Sequence, residues 1–127
     1  MATPLKILFA DDDLKYSLLL KRFLEKEGYD VAYTGNGMMA LEQFPVVKPD
    51  LVLLDINMPV MDGYEATREI RKLSLDVPII AVTAFAYASD EQRAMENGFD
   101  GYMAKPISAP QLRQQIAAIL QKRIILL

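Results

Sequence analysis

The 127-residue sequence contains no cysteine and no histidine. Without cysteine the chain can form neither disulfides nor a reactive thiolate. Without histidine it has no imidazole to serve as a general base or a zinc ligand, and it cannot itself carry a phosphohistidine. Any chemistry of this chain must therefore use carboxylates, hydroxyls, amines or backbone groups.

Long apolar runs and a strong basic charge are also missing. No apolar run approaches the roughly 18–20 residues that span a membrane, and residues 1–4 contain no apolar core of a signal peptide. The formal net charge of −3 argues against a nucleic-acid surface. We therefore expect a cytoplasmic protein or module that makes no membrane contact and no direct nucleic-acid contact.

Hydrophobic residues make up 52% of the chain, which is enough for one packed domain of this size. We predict a single domain over residues 1–127 with a core at about 5–121. Patterns that are typical of strands and helices alternate strictly along it. The predicted strands are 5–10, 30–34, 51–55, 77–83 and 101–104, and the predicted helices are 14–27, 36–46, 62–72, 89–97 and 108–122. This alternation indicates parallel βαβ units in a doubly wound α/β sheet.

Polar residues stand where four of these strands end. Asp55 follows the apolar run 51–54, the triplet 11–13 is all aspartate, and Thr83 and Lys105 end two later strands. Open α/β sheets bind their ligands at this carboxyl edge. The sequence therefore predicts a site at that edge.

Each of these residues also has an ordinary structural interpretation. The triplet Asp11–Asp13 is common in solvated loops and at helix starts, where Asp13 would be a cap. Thr83 could be satisfied locally, and Lys105 could be a surface lysine. Together, however, Asp11, Asp12 and Asp55 suit a hard divalent ion such as Mg²⁺. A site that adds a lysine and a hydroxyl matches a phosphoryl group, and a carboxylate can itself form an acyl phosphate.

Four segments contain these strand ends: ILFADDD at 7–13, LLDINMPVMDG at 53–63, IAVTA at 80–84 and YMAKP at 102–106. Together and in this order they resemble the receiver domains of two-component response regulators. The resemblance covers about residues 5–121. It implies a flavodoxin-like (βα)5 fold with strand order 2-1-3-4-5.

The resemblance also implies a role for each site residue. Asp55 would be the phosphoacceptor, taking its phosphoryl group from a phosphohistidine on a histidine kinase or a histidine phosphotransfer domain. Mg²⁺ would be held by Asp11, Asp12, Asp55 and the backbone carbonyl of Asn57.

Three further residues complete the implied machinery. Lys105 would pair with the phosphoryl oxygens, and the Lys105–Pro106 peptide bond would be cis. Thr83 would move to hydrogen-bond the phosphoryl group, and Tyr102 would follow from an exposed to a buried position. The chain would thereby catalyse its own phosphorylation and change a surface formed by the fourth helix, fifth strand and fifth helix.

Some interpretations stay open at this stage. Leu14 and Leu18, with Ile107, could dock a histidine-bearing helix or could be core, and Phe85 could shield the phosphoryl group. Three methionines, at 58, 61 and 103, are more typical of gap-filling core residues than of a binding surface. The output surface would include Tyr87, Glu91, Arg93, Tyr102, Gln111 and Gln114. We expect a monomer or weak dimer that is either a stand-alone receiver or a piece of a longer chain, possible parents being hybrid histidine kinases.

Other functions compete with this prediction. An enzyme of the haloacid dehalogenase type, which turns over free substrates through an aspartyl-phosphate, would place a second aspartate two residues after Asp55, where this chain has Asn57. A receiver that only binds would lack acceptor, metal or lysine residues, and none is missing. A flavodoxin would need a Ser/Thr-rich phosphate loop at the position of Asp11–Asp13.

Overall fold

We describe residues 4–84 and 88–126 in a computed structural model of the chain, with backbone alone for residues 88, 89, 120 and 122–126. The strands are β1 (Lys6–Ala10), β2 (Asp30–Thr34), β3 (Leu51–Asp55), β4 (Ile79–Thr83) and β5 (Gly101–Ala104). The helices are α1 (Leu14–Lys26), α2 (Gly37–Val47), α3 (Gly63–Leu73), α4 (Ala88–Glu96) and α5 (Ala109–Leu126). Within the described residues no helix is both long and apolar enough to span a membrane.

The strands form one parallel sheet in the order β2-β1-β3-β4-β5. This confirms the predicted flavodoxin-like topology. β1 and β3 are direct neighbours, with Ala10 opposite Leu54. Asp11, which follows β1, and Asp55, the last residue of β3, therefore meet at one edge.

Side chains that alternate along the central strands fill a separate core on each face of the sheet. Val52 and Leu54 face the core that α3 covers with Ile70, whereas Leu53 faces the core that contains Leu24 of α1. β3 and β4 are buried along their whole length, because a parallel sheet is covered by helices on both faces. This rigid double-sided packing holds the strand ends in place.

Short polar side chains begin the helices next to the site. Asp13, Asn36 and Asp62 cap α1, α2 and α3, each accepting a hydrogen bond from a backbone N–H three residues ahead. Ser108 Oγ accepts from Gln111 N at 3.2 Å at the start of α5. The interpretation of Asp13 as a helix cap is confirmed.

Two predicted boundaries are wrong. β4 begins at Ile79 and not at Val77, since Pro78 has no N–H to donate to the ladder. α5 continues to Leu126 and does not end near Lys122, because no proline or glycine follows Pro110 to stop it.

The apolar residues of α1 are only partly buried. Leu20 and Leu24 are core residues, but Leu14 and Leu18 are 61% and 54% exposed, so these two do not belong to the core. Three methionines, at 58, 61 and 103, are buried as predicted. The predicted shield Phe85 and the surface residue Tyr87 lie outside the described residues.

Candidate functional site

Asp11, Asp12 and Asp55 converge at the carboxyl edge of the sheet. Each offers one carboxylate oxygen, and these oxygens all lie within 4.8 Å of one another. Asp11 and Asp55 are only 2% and 6% exposed, whereas Asp12 faces solvent. The convergence follows from the parallel pairing of β1 with β3, which brings two strand ends together from distant parts of the chain.

The Lys105 ammonium lies between the two buried carboxylates. Its Nζ is 2.6 Å from Asp11 Oδ2 and 3.1 Å from Asp55 Oδ2. Its backbone N–H donates to the Thr83 carbonyl at 2.9 Å, and the peptide bond to Pro106 is cis. One half-buried cation thus contacts two of the three aspartates.

The charges of the site are not balanced. Burial, together with the neighbouring Asp11 charge, raises the pKa of Asp55 to about 6 against the opposing effect of Lys105. Burial lowers the pKa of Lys105, but its hydrogen bond to Asp11 and the neighbouring negative charges outweigh this and leave that pKa raised. Three carboxylates cluster beside the Lys105 ammonium, so the site favours an additional cation.

The donor set matches a hard divalent ion. Carboxylate and carbonyl oxygens are the ligands that Mg²⁺ prefers, and the three clustered carboxylates supply them. Asn57, predicted to add its backbone carbonyl, belongs to the same turn, where its N–H donates to Asp55 Oδ1 at 3.2 Å. The residues present thus fit a metal at this edge.

Thr83 and Tyr102 occupy the neighbouring strands. Thr83 is buried at the end of β4, one residue beyond Val82, which is the register partner of Asp55. Tyr102 lies on β5 opposite Ala81, partly buried against the core, and its carbonyl accepts from Gln115 Nε2 at 3.0 Å. Thr83 therefore belongs to the site edge, while Tyr102 lies on the outermost strand beside it.

Two tyrosines of the site were missed by the sequence reasoning. The Tyr33 hydroxyl donates to the Asp11 carbonyl at 2.9 Å, and the Tyr16 ring centroid lies 4.6 Å from Lys105 Nζ. The sequence did contain a signal for Tyr33, because it lies near the end of the predicted strand 30–34. In the expected strand order that strand pairs with β1, and Tyr33 lies opposite Phe9, two residues before Asp11. No sequence signal relates Tyr16 to Lys105.

Gly63 is required by the shape of the site. A Cβ at this position would lie 2.4 Å from the Asp55 carbonyl oxygen and 2.8 Å from Ile56 Cα. The start of α3 can therefore approach the end of β3 only because residue 63 has no side chain.

Comparison with known proteins agrees with this geometry. Residues 7–117 match the family described as the response regulator receiver domain. The chain belongs to this family. It is a receiver domain of two-component signalling, and members of this class accept a phosphoryl group on an aspartate.

The curated relatives are longer proteins that contain a receiver. The chain is 38% identical over 117 residues to the alkaline phosphatase synthesis transcriptional regulatory protein PhoP of Bacillus subtilis, covering 92% of this chain and 49% of PhoP. It is 38% identical over 116 residues to the sensor histidine kinase RcsC of Salmonella typhi, covering 91% of this chain and 12% of RcsC. The chain therefore spans about half, or less, of these relatives.

Solved structures share the whole fold. A CheY-like receiver protein from Methanospirillum hungatei superposes with a TM-score of 0.85 at 29% identity, covering 94% of this chain and 96% of that one. The receiver of the sensor histidine kinase PA1611 from Pseudomonas aeruginosa, solved with a magnesium ion in its active-site cleft, gives a TM-score of 0.80 at 33% identity, covering 88% of this chain and 93% of that one.

Proposed function

We propose that this chain, as a single receiver over residues 1–127, is a signalling switch that a phosphohistidine partner phosphorylates on Asp55. The observation that carries the proposal is the buried contact of Lys105 Nζ with both Asp55 and Asp11. It joins a carboxylate nucleophile to a cation that can receive phosphoryl oxygens.

On this chain, the residues that take part in the transfer step lie at this edge. A carboxylate oxygen of Asp55 attacks phosphorus, and an O–P bond forms as the P–N bond to the donor imidazole breaks. The imidazole nitrogen keeps the electron pair of the broken bond, and Asp55 becomes an acyl phosphate. Lys105 pairs with a phosphoryl oxygen in the transition state.

Mg²⁺ is the proposed cofactor. The carboxylates of Asp11, Asp12 and Asp55 and the carbonyl of Asn57 would hold it, supported by the clustered oxygens of this chain and by the magnesium ion of the PA1611 receiver. When bound, the ion neutralises negative charge on the carboxylates and on the incoming phosphoryl group.

Thr83 and Tyr102 are the proposed switch. Thr83 is buried at the site edge, on the strand next to that of Asp55, and would hydrogen-bond the phosphoryl group. Tyr102 already packs in part against the core, and we infer that it turns further inward as Thr83 moves. The surface of α4, β5 and α5 would change with it.

The proposed phosphodonor is a histidine kinase or a histidine phosphotransfer domain. α1 supports this, because its exposed Leu14 and Leu18 lie just after the site aspartates and form an apolar surface for a partner helix. Ile107, which is half-buried, follows the site residue Lys105 by two positions, and its N–H donates to Tyr16 of α1. A cytoplasmic location and a monomeric or weakly dimeric state remain part of this proposal.

Intact mass spectrometry after incubation with acetyl phosphate and Mg²⁺ tests the proposal. We expect a gain of about 80 Da, the mass of one phosphoryl group replacing a proton, that requires Mg²⁺ and is absent in Asp55→Asn. Asp76→Asn, the same change at an exposed aspartate, is the matched control and should gain the same mass as the unmodified chain. An equal gain in Asp55→Asn would show that another residue is the acceptor.

A further inference from the structure

Tyr16 connects the first turn of α1 to the lysine of the site. Its ring lies with the centroid 4.6 Å from Lys105 Nζ, and its hydroxyl accepts a hydrogen bond from the Ile107 backbone N–H at 3.4 Å. One side chain therefore contacts both the ammonium and the backbone two residues after it.

This contact differs in kind from the other contacts of the ammonium. Asp11 and Asp55 hold Lys105 through charge, and both carboxylates change their environment when a metal and a phosphoryl group join the site. The Tyr16 ring attracts the ammonium through its π-face and does not take part in that chemistry. It can therefore restrain the ammonium while the charges around it change.

A restraint on this side chain matters because lysine is a flexible chain with a point charge at its end. The Lys105 backbone is fixed by its hydrogen bond to the Thr83 carbonyl, but that bond leaves the side-chain torsions free. Electrostatic stabilisation of a transition state depends on a charge that is already in place.

We propose that Tyr16 is a positioning residue for phosphoryl transfer, holding the Lys105 ammonium through its ring and the Lys105–Ile107 backbone through its hydroxyl. The inference rests on the proposed function, since it concerns how Lys105 meets the phosphoryl group.

Tyr16 also packs against the core beneath α1 and α5, so a purely structural role must be distinguished. Tyr29 is a suitable matched control, because it is also a half-buried tyrosine packed against that core. Its charged neighbours are Glu27 and Arg113 and not the residues of the site.

The experiment measures the initial rate of Asp55 phosphorylation by acetyl phosphate at saturating Mg²⁺, over a range of donor concentrations. We expect Tyr16→Leu to lower the limiting rate about five- to twenty-fold with less than a two-fold change in the half-saturating donor concentration, since the lost restraint acts in the transition state. Tyr16→Trp should recover most of the rate, because indole is the strongest cation–π partner. Tyr29→Leu should stay within two-fold of the unmodified chain.

A double-mutant cycle tests whether the effect passes through Lys105. In a Lys105→Met background, Tyr16→Leu should change the rate by less than two-fold, because the group that it positions is gone. If Tyr16→Leu does not fold, Tyr16→Met, an unbranched apolar replacement, takes its place with the same expected rates.

Three results would overturn the inference. They are an unchanged rate in Tyr16→Leu, an equal loss in Tyr29→Leu, and an undiminished effect of Tyr16→Leu in the Lys105→Met background. Failure of the proposed function would look different, since the unmodified chain would then gain no phosphoryl group on Asp55.

Discussion

At the scale of single residues, Asp55 combines deep burial with a second carboxylate close by. Its pKa is raised to about 6 from an ordinary 3.8, so the folded chain binds this proton more tightly than the unfolded chain does. Ionisation of Asp55 therefore lowers the free energy of unfolding. This destabilisation is complete above pH 6 and disappears as pH falls to about 4.

We expect Asp55→Asn to raise the free energy of unfolding at pH 7.5, without divalent ions, by about 1–3 kcal/mol. A shift of one pKa unit corresponds to about 1.4 kcal/mol, and the lost contact with Lys105 offsets part of the gain. Urea unfolding at pH 7.5, 5.5 and 4 measures the effect, which should shrink steadily with falling pH. A difference from the unmodified chain that is constant over this range would contradict the raised pKa, and Asp76→Asn controls for the loss of one exposed charge.

Gly63 shows how closely the backbone of α3 approaches β3. Its absent Cβ would meet backbone atoms of Asp55 and Ile56, which cannot rotate away as a side chain could. We expect Gly63→Ala to lower the free energy of unfolding by about 1–3 kcal/mol, as overpacking does, although alanine is the better helix former.

Gly35→Ala is the control, because a Cβ there would come no closer than 3.8 Å to another atom, the Tyr33 hydroxyl oxygen. Denaturant midpoints of the two variants give the comparison. A Gly63→Ala protein as stable as Gly35→Ala would mean that the two backbones can separate at little cost.

At the scale of elements, Arg71 joins α3 to the loop before β4 and to the loop before β5. Its guanidinium donates to the Gly98 carbonyl at 3.0 and 2.8 Å, to the Val77 carbonyl at 2.6 Å and to Asp100 Oδ2 at 2.7 Å. The same Asp100 oxygen accepts from Ile79 N at 2.9 Å. Arg71 therefore helps to hold the C-terminal end of α4 to α3, alongside Arg68, whose Nη1 donates to Asn97 Oδ1 at 2.7 Å.

We expect Arg71→Lys to lower the free energy of unfolding by about 2–4 kcal/mol, because an ammonium cannot reproduce the planar fork and leaves part-buried carbonyls without their donor. Arg113→Lys is the matched control, since Arg113 forms an exposed pair with Glu27, and exposed pairs contribute only about 0–1 kcal/mol. Chemical denaturation of both variants gives the comparison. Equal losses would show that the Arg71 contacts are replaceable.

At the scale of the whole molecule, the carboxylate cluster should couple metal binding to folding. A ligand that binds only the folded chain stabilises it by about 2.7 kcal/mol at one hundred times its dissociation constant. We expect Mg²⁺ to raise the free energy of unfolding of the unmodified chain by about 1–3 kcal/mol and that of Asp12→Asn by much less. Thermal unfolding over a series of Mg²⁺ concentrations checks this. Asp90→Asn, which lies outside the cluster, is the control. Equal stabilisation of all three proteins would show that the ion binds elsewhere.

The order of the elements and the location of the site were predictable from the sequence, for a common physical reason. Buried parallel strands require continuous apolar runs, helices require a 3.6-residue period with polar caps, and parallel strands end at the same edge. Asp11, Asp55 and Lys105 could therefore be assigned to one site, and Asp13 to a cap. Leu14 and Leu18 were ambiguous, because an apolar residue on a helix shows its exposure only when the neighbouring elements are in place.

The amino-acid sequence by itself determined that this chain folds as an alternating α/β receiver and that its polar residues collect at one edge of the sheet. Only the tertiary structure decided that Lys105 contacts Asp11 as well as Asp55, and that Asp55 has a raised pKa. It also decided that the Tyr16 ring lies against the lysine. These properties depend on distances of a few ångströms between residues far apart in the chain, and local propensity carries no information about such distances.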